Sequence, residues 1–180
     1  MRVVAGTARG TKLETLEGLD VRPTIDRVKE AVFSSLHFEL PGKKILDLFA
    51  GSGQLGIEAL SRGAASCVFI EQDKDAFAVV QKNLAATGLK PKARVAMMDA
   101  IGFVKNCKET FDIVFLDPPY NAGLYNDAIL GLAGHISDGG KMVVEHLKDE
   151  PLPDLDGFVR KKPKKYGKVF ITVYVKEETL

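Results

Sequence analysis

Lys43-Lys44-Ile45-Leu46-Asp47-Leu48-Phe49-Ala50-Gly51-Ser52-Gly53-Gln54-Leu55-Gly56 reads as a short apolar strand running into a glycine-rich turn. A helix through Gly56-Ile57-Glu58-Ala59-Leu60-Ser61-Arg62 is expected next, with Gly63 as its stop. Glycines let the chain turn sharply and let its backbone approach a ligand closely. Strand, glycine turn and helix in that order open a doubly wound α/β sheet. Eighteen residues past Gly53, the strand Ser66–Ile70 ends in Glu71, with Gln72 after it. An acid at that point is suited to bonding ribose hydroxyls. Gly51, Gly53 and Gly56 satisfy G-x-G-x-x-G, so the turn alone points to a nucleotide without choosing one, and a nicotinamide dinucleotide competes.

The choice is made further along. Phe111-Asp112-Ile113-Val114-Phe115-Leu116 reads as a buried strand, and it ends in Asp117-Pro118-Pro119-Tyr120. Two prolines cannot continue a sheet ladder and stiffen the backbone. A carboxylate beside a rigid carbonyl makes two acceptors at fixed separation. They suit the two N–H donors of an amine conjugated to a ring or carbonyl. Such an amine is a poor nucleophile because its lone pair is delocalised. Holding both donors between Asp117 and the Pro118 carbonyl turns the lone pair toward an electrophile. Tyr120 offers a flat face for the ring that carries the amine. The plainer reading is a strand that ends in a Pro-Pro turn, with Tyr120 covering the core. Asp47 ends the first strand, where it could bind the ammonium of a methionine tail. Asp99-Ala100 follows a third apolar strand, Ala93–Met98, and could cap an adenine edge. Together these favour S-adenosylmethionine, because a dehydrogenase has no obvious need for the Asp-Pro-Pro-Tyr element.

With those residues the chain resembles a class I S-adenosylmethionine-dependent methyltransferase of the amino-methylating kind. Within that class it is similar to the bacterial guanine-N2 methyltransferases of small-subunit ribosomal RNA, the RsmD type. The similarity runs over nearly the whole chain, from Arg2-Val3-Val4-Ala5-Gly6-Thr7-Ala8-Arg9-Gly10-Thr11-Lys12-Leu13 through Arg22-Pro23-Thr24-Ile25-Asp26-Arg27 to Val143-Val144-Glu145-His146. The resemblance implies a catalytic set of Asp117, Pro118, Pro119 and Tyr120. It implies cofactor contacts from Asp47, Phe49, Ala50, Gly51, Ser52 and Gly53, and from Thr24, Glu71, Gln72, Asp99 and Ala100. RNA contacts are expected from Arg2, Arg9, Lys12, Arg22 and Arg27, and from Lys164 and Lys165. The implied reaction is methylation of a guanine N2 amine in the 16S RNA of a finished or assembling small subunit. Adenine-N6 or glutamine-N5 methylation by the same site is the alternative within the class. An RNA-binding relative that has lost catalysis is the alternative outside it.

Length and composition agree with this. At 180 residues one domain is the natural count, and an apolar fraction of 46% supports a real core. No apolar run reaches membrane-spanning length, and no signal peptide is visible. Cys67 and Cys107 have no metal or redox spacing, and His37, His135 and His146 have no ligand spacing. A cytoplasmic, metal-free monomer with reduced thiols is expected. The net charge of +1 hides basic ends: Arg2, Arg9 and Lys12 near the start, and Arg160, Lys161, Lys162, Lys164, Lys165 and Lys168 near the end. Charge runs are usually solvated surface, but beside an amine-methylating site they read as phosphate contacts.

Periodicity completes the expected fold, a Rossmann-like seven-stranded sheet, mostly parallel, with an antiparallel last strand. A basic N-terminal extension over residues 1–22 should form a hairpin, with strands at 2–5 and 11–16. Thr24 is a candidate N-cap for a helix over Ile25–Leu36. Further helices are expected over 74–86, 100–107 and 123–134. The last two strands are expected near 157–162 and 168–175, joined by Pro163-Lys164-Lys165-Tyr166-Gly167.

Overall fold

The computed structural model describes residues 1–16 and 23–179. After helix α1 (Pro23–Leu36), strands and helices alternate: β1 (Lys44–Asp47), α2 (Gln54–Ser61), β2 (Ser66–Ile70), α3 (Lys74–Thr87), β3 (Ala93–Ala96), α4 (Ala100–Asn106), β4 (Phe111–Leu116), α5 (Tyr125–Leu132) and β5 (Ile136–Leu147). Three antiparallel strands close the chain: β6 (Phe158–Arg160), β7 (Lys164–Tyr166) and β8 (Val169–Lys176). The sheet order is β3-β2-β1-β4-β5-β8-β6, with β7 also paired to β8. The strands β1 to β5 are mutually parallel where they pair, and β8 runs antiparallel to β5.

Alternation along the central strands buries both faces. Ile45, Ile113, Phe115 and Val143 pack with Val32, Phe33, Ile57 and Val80 from α1, α2 and α3. Leu46, Val114, Leu116, Met142 and Val144 pack with Val104, Ile129 and Leu132 from α4 and α5. This two-sided burial explains why the parallel strands read as continuous apolar runs rather than as alternating ones. Helix α2 lies close on β2 because residue 56 is glycine. A Cβ there would stand 2.3 Å from the Phe69 ring and 2.7 Å from the Cys67 sulfur.

The structure corrects three expectations at element boundaries. Among the described residues the sheet has eight strands, because Lys164–Tyr166, expected as a linker, pairs with Val169–Ile171 as β7. β6 and β7 occupy successive stretches of one flank of β8, separated by Lys161–Pro163, and Pro163 has no N–H to give a ladder. The described part of the N-terminal extension forms a single antiparallel bridge, Arg2 to Lys12, and not two full strands. Its backbone leaves the ladder because Glu58 takes the Val4 N–H at 2.9 Å, while Ser61 Oγ donates to the Ala5 carbonyl at 2.6 Å. Residues 17–22 of that extension lie outside the described residues. Helix α1 starts at Pro23, so Thr24 lies within its first turn and not at the expected cap. Proline suits a first helical position because the missing N–H would have no partner there. The Thr24 side chain lies outside the described residues, as does Arg22.

Candidate active site

Strand register decides which side chains meet. β1 and β4 align Asp47 with Phe115, and β4 and β5 align Leu116 with Val144. One position further along, Asp117 and Glu145 leave neighbouring strands side by side. A cavity of about 840 Å³ opens over these carboxyl ends. Phe49, Ala50, Gly51 and Ser52 line it from the turn after β1, with Gln54 from the start of α2. Glu71 and Gln72 line it from the end of β2, and Asp99 and Ala100 from the start of α4. Asp117, Pro118, Pro119 and Tyr120 form the floor, with Glu145 beside them.

The glycine turn is held by acids. Gly53 has φ 81° and caps α2 in the left-handed region, so the helix begins at Gln54, two residues earlier than expected. The Glu71 carboxylate accepts the Gly51 N–H at 2.8 Å and the Asp73 N–H at 3.0 Å. It therefore ties the turn to the end of β2 while facing the cavity. Asp47 is only 2% exposed and accepts the Gly56 N–H at 3.1 Å. Neither Asp47 nor Gly53 is a lining residue; both support the turn from beneath. Burial pushes the Asp47 carboxyl up to about 7, the Gly56 bond opposes the rise, and Glu71 adds to it. Asp99 caps α4, accepting the Gly102 N–H at 2.7 Å.

At the floor, Tyr120 donates its hydroxyl to Glu145 Oε1 at 2.9 Å and remains 40% exposed. Tyr125 donates to the Glu145 backbone carbonyl at 2.9 Å. Burial, then the neighbouring Glu145 and Asp47 carboxylates, raise the Asp117 carboxyl well above its usual range. Burial also raises Glu145, against the Tyr120 hydrogen bond. The Tyr120 hydroxyl is driven up in turn by burial and by Glu145, so it stays protonated and donates.

Several lining residues carry no role that the sequence alone suggests. Glu145 has the same signal as Glu71 and Asp117, an acid at the end of an apolar strand. Gln54 lines the wall, and its Oε1 is buried without a hydrogen-bond partner. Lys29 lines the far end together with Met1, Thr15 and Leu16. It is held by the Arg2 carbonyl at 3.1 Å and by Glu58 at 3.4 Å, and burial lowers its pKa. At the rim, Gly167, Lys168 and Val169 bring the turn between β7 and β8 to the cavity.

The expected RNA contacts that lie among the described residues are all exposed. Arg2, Arg9 and Lys12 are exposed on the N-terminal arm. Arg27 on α1 is exposed, as are Lys164 and Lys165 on β7, and α1 packs against β7. His146 is buried and joined to Thr172 at 2.7 Å and to the Leu147 carbonyl at 2.8 Å, a structural position. Among the described residues, no helix is long and apolar enough to cross a membrane.

A doubly wound sheet with this strand order, and a site built on Asp-Pro-Pro-Tyr beside a glycine turn, defines a Rossmann-like class I methyltransferase. The chain belongs to the ribosomal RNA small subunit methyltransferase D family, and the family model described as "Conserved hypothetical protein 95" matches residues 1–175. It is 37% identical to "Ribosomal RNA small subunit methyltransferase D" of Haemophilus influenzae over 179 residues, 97% of this chain and 93% of the relative. It is 39% identical to the Escherichia coli K12 protein of the same description over 155 residues, 85% of this chain and 78% of the relative. The solved structure described as "Putative methyltransferase yhhF from Escherichia coli" superposes with a TM-score of 0.89 at 36% identity, covering 99% of each chain.

Proposed function

We propose that this chain transfers the methyl group of S-adenosylmethionine to the exocyclic N2 amine of a guanine in small-subunit ribosomal RNA. The observation that carries the reading is Asp117 and Tyr120 on the floor of a cavity whose wall is the glycine turn and Glu71. The relatives in Haemophilus influenzae and Escherichia coli, by their descriptions, supply the RNA and the subunit.

The wall fits the cofactor. Glu71 at the end of β2 suits ribose hydroxyls. Gly51, where an added Cβ would meet nothing within 4 Å, leaves room for a ligand against the backbone. The unpartnered Gln54 Oε1 suits an ammonium. Phe49, Ser52, Gln72, Asp99 and Ala100 complete the set. S-adenosylmethionine, when bound, supplies an electrophilic methyl on a sulfonium.

The remaining chemistry belongs to the chain. A target guanine is turned out of its RNA context, as single-stranded or flipped bases are. Its ring lies on Tyr120, whose hydroxyl is held by Glu145 and so fixes the ring plane. Asp117 and the Pro118 carbonyl take the two N–H groups of the amine, and Pro119 keeps that carbonyl rigid. Positioning supplies most of the acceleration. The amine becomes strongly acidic once methylated, and the proton leaves to Asp117 or to water. Arg9 and Lys12 on the arm, with Arg27, Lys164 and Lys165, contact phosphates, joined at the rim by Lys168. The enzyme acts as a monomer in the cytoplasm.

Incubation with labelled S-adenosylmethionine and separated ribosomal RNAs, followed by nucleoside analysis, tests this. N2-methylguanosine in small-subunit RNA is expected. N6-methyladenosine, or label recovered only in protein, would replace the reading.

A further inference from the structure

We infer that Glu145 reads the N1–H of the target guanine, and so selects a purine whose ring nitrogen beside the amine is a donor. This rests on the guanine-N2 reading above and adds the residue that chooses the base.

The two floor carboxyls use their oxygens unequally. Glu145 is immobilised from both ends, its Oε1 by the Tyr120 hydroxyl and its backbone carbonyl by the Tyr125 hydroxyl, each at 2.9 Å. No described residue donates a hydrogen bond to Glu145 Oε2 or to the Asp117 carboxylate. Among the described residues, no cation acts on either one. The strand register nonetheless sets Asp117 and Glu145 side by side, one step beyond the Leu116–Val144 pair. Two adjacent carboxyls without a cation are costly to bury, and each needs donors from whatever fills the cavity. Burial raises the Glu145 carboxyl against the Tyr120 bond, and a ligand donor arriving at Oε2 would add a second hydrogen bond that favours its ionised, acceptor-only form.

The ligand's donors must therefore come in an adjacent pair. Guanine carries N1–H next to its N2 amine, so one edge presents donors to both carboxyls. An adenine amine stands beside N1, an unprotonated acceptor that would face Glu145 lone pair to lone pair. A glutamine amide stands beside its own carbonyl oxygen, with the same conflict. Asp117 thus accepts from the amine in all three cases, while the Glu145 carboxylate is satisfied by guanine and would have to take up a proton to pair with either of the others. A site built to bond a particular N–H rejects an analogue lacking it far more strongly than a merely apolar site would.

The test uses 2-aminopurine, which keeps the N2 amine but has an unprotonated N1. The methylated nucleotide is located first, and small-subunit RNA is then ligated with guanine or 2-aminopurine at that position. Single-turnover methylation of the two RNAs gives a discrimination ratio. The wild-type enzyme is expected to favour guanine by about tenfold or more. Glu145→Gln keeps the shape, and its amide either accepts from N1–H or donates to N1. Its ratio is expected to fall to within about threefold of unity, with S-adenosylmethionine affinity unchanged. A ratio near one in the wild-type enzyme overturns the inference even if the variant fails to fold. An unchanged ratio in a folded Glu145→Gln overturns it too, while N2-methylguanosine formation by the wild type leaves the guanine reading standing. Failure of the wild type to make N2-methylguanosine overturns both.

Discussion

Asn83 grips Ser52. From the buried side of α3, its amide nitrogen donates to the Ser52 carbonyl at 2.9 Å, behind the wall of the cavity. The same side chain exchanges two bonds with Glu14, donating to its carbonyl at 3.0 Å and accepting its N–H at 2.8 Å. Glu14 precedes Thr15 and Leu16, which line the far end of the cavity. One amide therefore couples the glycine turn to the N-terminal arm. Asn83→Ala leaves the buried Ser52 carbonyl unsatisfied, at a cost of about 1–3 kcal/mol. We expect a lower urea midpoint and S-adenosylmethionine binding weakened by roughly tenfold. Calorimetry that finds unchanged affinity would show that the arm and the turn are independent.

Glu71→Ala should weaken S-adenosylmethionine by tenfold or more, since a charge-assisted bond contributes about 1.5–3 kcal/mol. Part of the loss would come through Gly51, whose N–H loses its acceptor. Titration calorimetry with S-adenosylmethionine and with a nicotinamide dinucleotide checks the assignment. Tight binding of the dinucleotide by the wild-type protein would contradict it.

Asp117→Ala should lower turnover by orders of magnitude while S-adenosylmethionine still binds, because alignment of the amine acts in the transition state. Asp117→Asn keeps an acceptor oxygen. It retains part of the activity if alignment dominates, and almost none if Asp117 must take the proton. Tyr120→Phe keeps the ring but releases Glu145 Oε1, so a moderate loss is expected, against a severe loss for Tyr120→Ala. Single-turnover rates separate these outcomes.

The buried acids make stability depend on pH with an unusual sign. A carboxyl raised on folding, such as Asp47 to about 7, holds its proton in the native state between about pH 4 and 7 while the unfolded chain has lost it. The contribution of such a group to native stability is therefore fully present below the unfolded value, is lost as pH rises toward 7, and levels off above it. Asp117 and Glu145 are raised in the same direction. Asp47→Asn still accepts from the Gly56 N–H and should flatten part of the decline, becoming more stable than wild type at pH 8 by about 1–3 kcal/mol. Urea unfolding at pH 5 and pH 8 measures this. A variant less stable than wild type at pH 8 would contradict the sign.

Neutralising Arg9 and Lys12 together, or Lys164 and Lys165 together, should weaken RNA binding. The slope of log K against log salt should drop by roughly 0.7–0.9 for each phosphate that is no longer neutralised. S-adenosylmethionine affinity should not move, because none of the four lines the cavity. An unchanged slope in both variants would make these residues ordinary solvated surface.

The sequence was most legible where chemistry is local. The glycine turn, Glu71 and Asp-Pro-Pro-Tyr are contiguous, and each ends a strand whose apolar run announces it. Glu145 went without a role because its partner is set by the register of β4 on β5, a relation between residues 25 or more apart in sequence. Asn83 was invisible for the same reason. It sits on a helix face like any other buried polar residue, and only its contacts at sequence separations of 31 and 69 give it a task. Asp47 was legible as an acid at the first strand's end, but not as one bonded beneath the turn rather than facing the cavity. β7 escaped because Lys-Lys-Tyr has weak strand propensity, and only β8 beside it makes it a strand.

The two short strands on the flank of β8 carry a second consequence. An open sheet edge offers unpaired N–H and C=O groups to any passing strand, and proteins blunt such edges with lysines, prolines and short strands. Residues 158–166 combine Arg160, Lys161, Lys162, Lys164 and Lys165 with Pro163 in an interrupted edge. By that rule, the charges proposed to meet phosphates also guard this border against pairing with another chain. Variants stripped of those lysines are expected to lose colloidal solubility along with the proposed RNA contact.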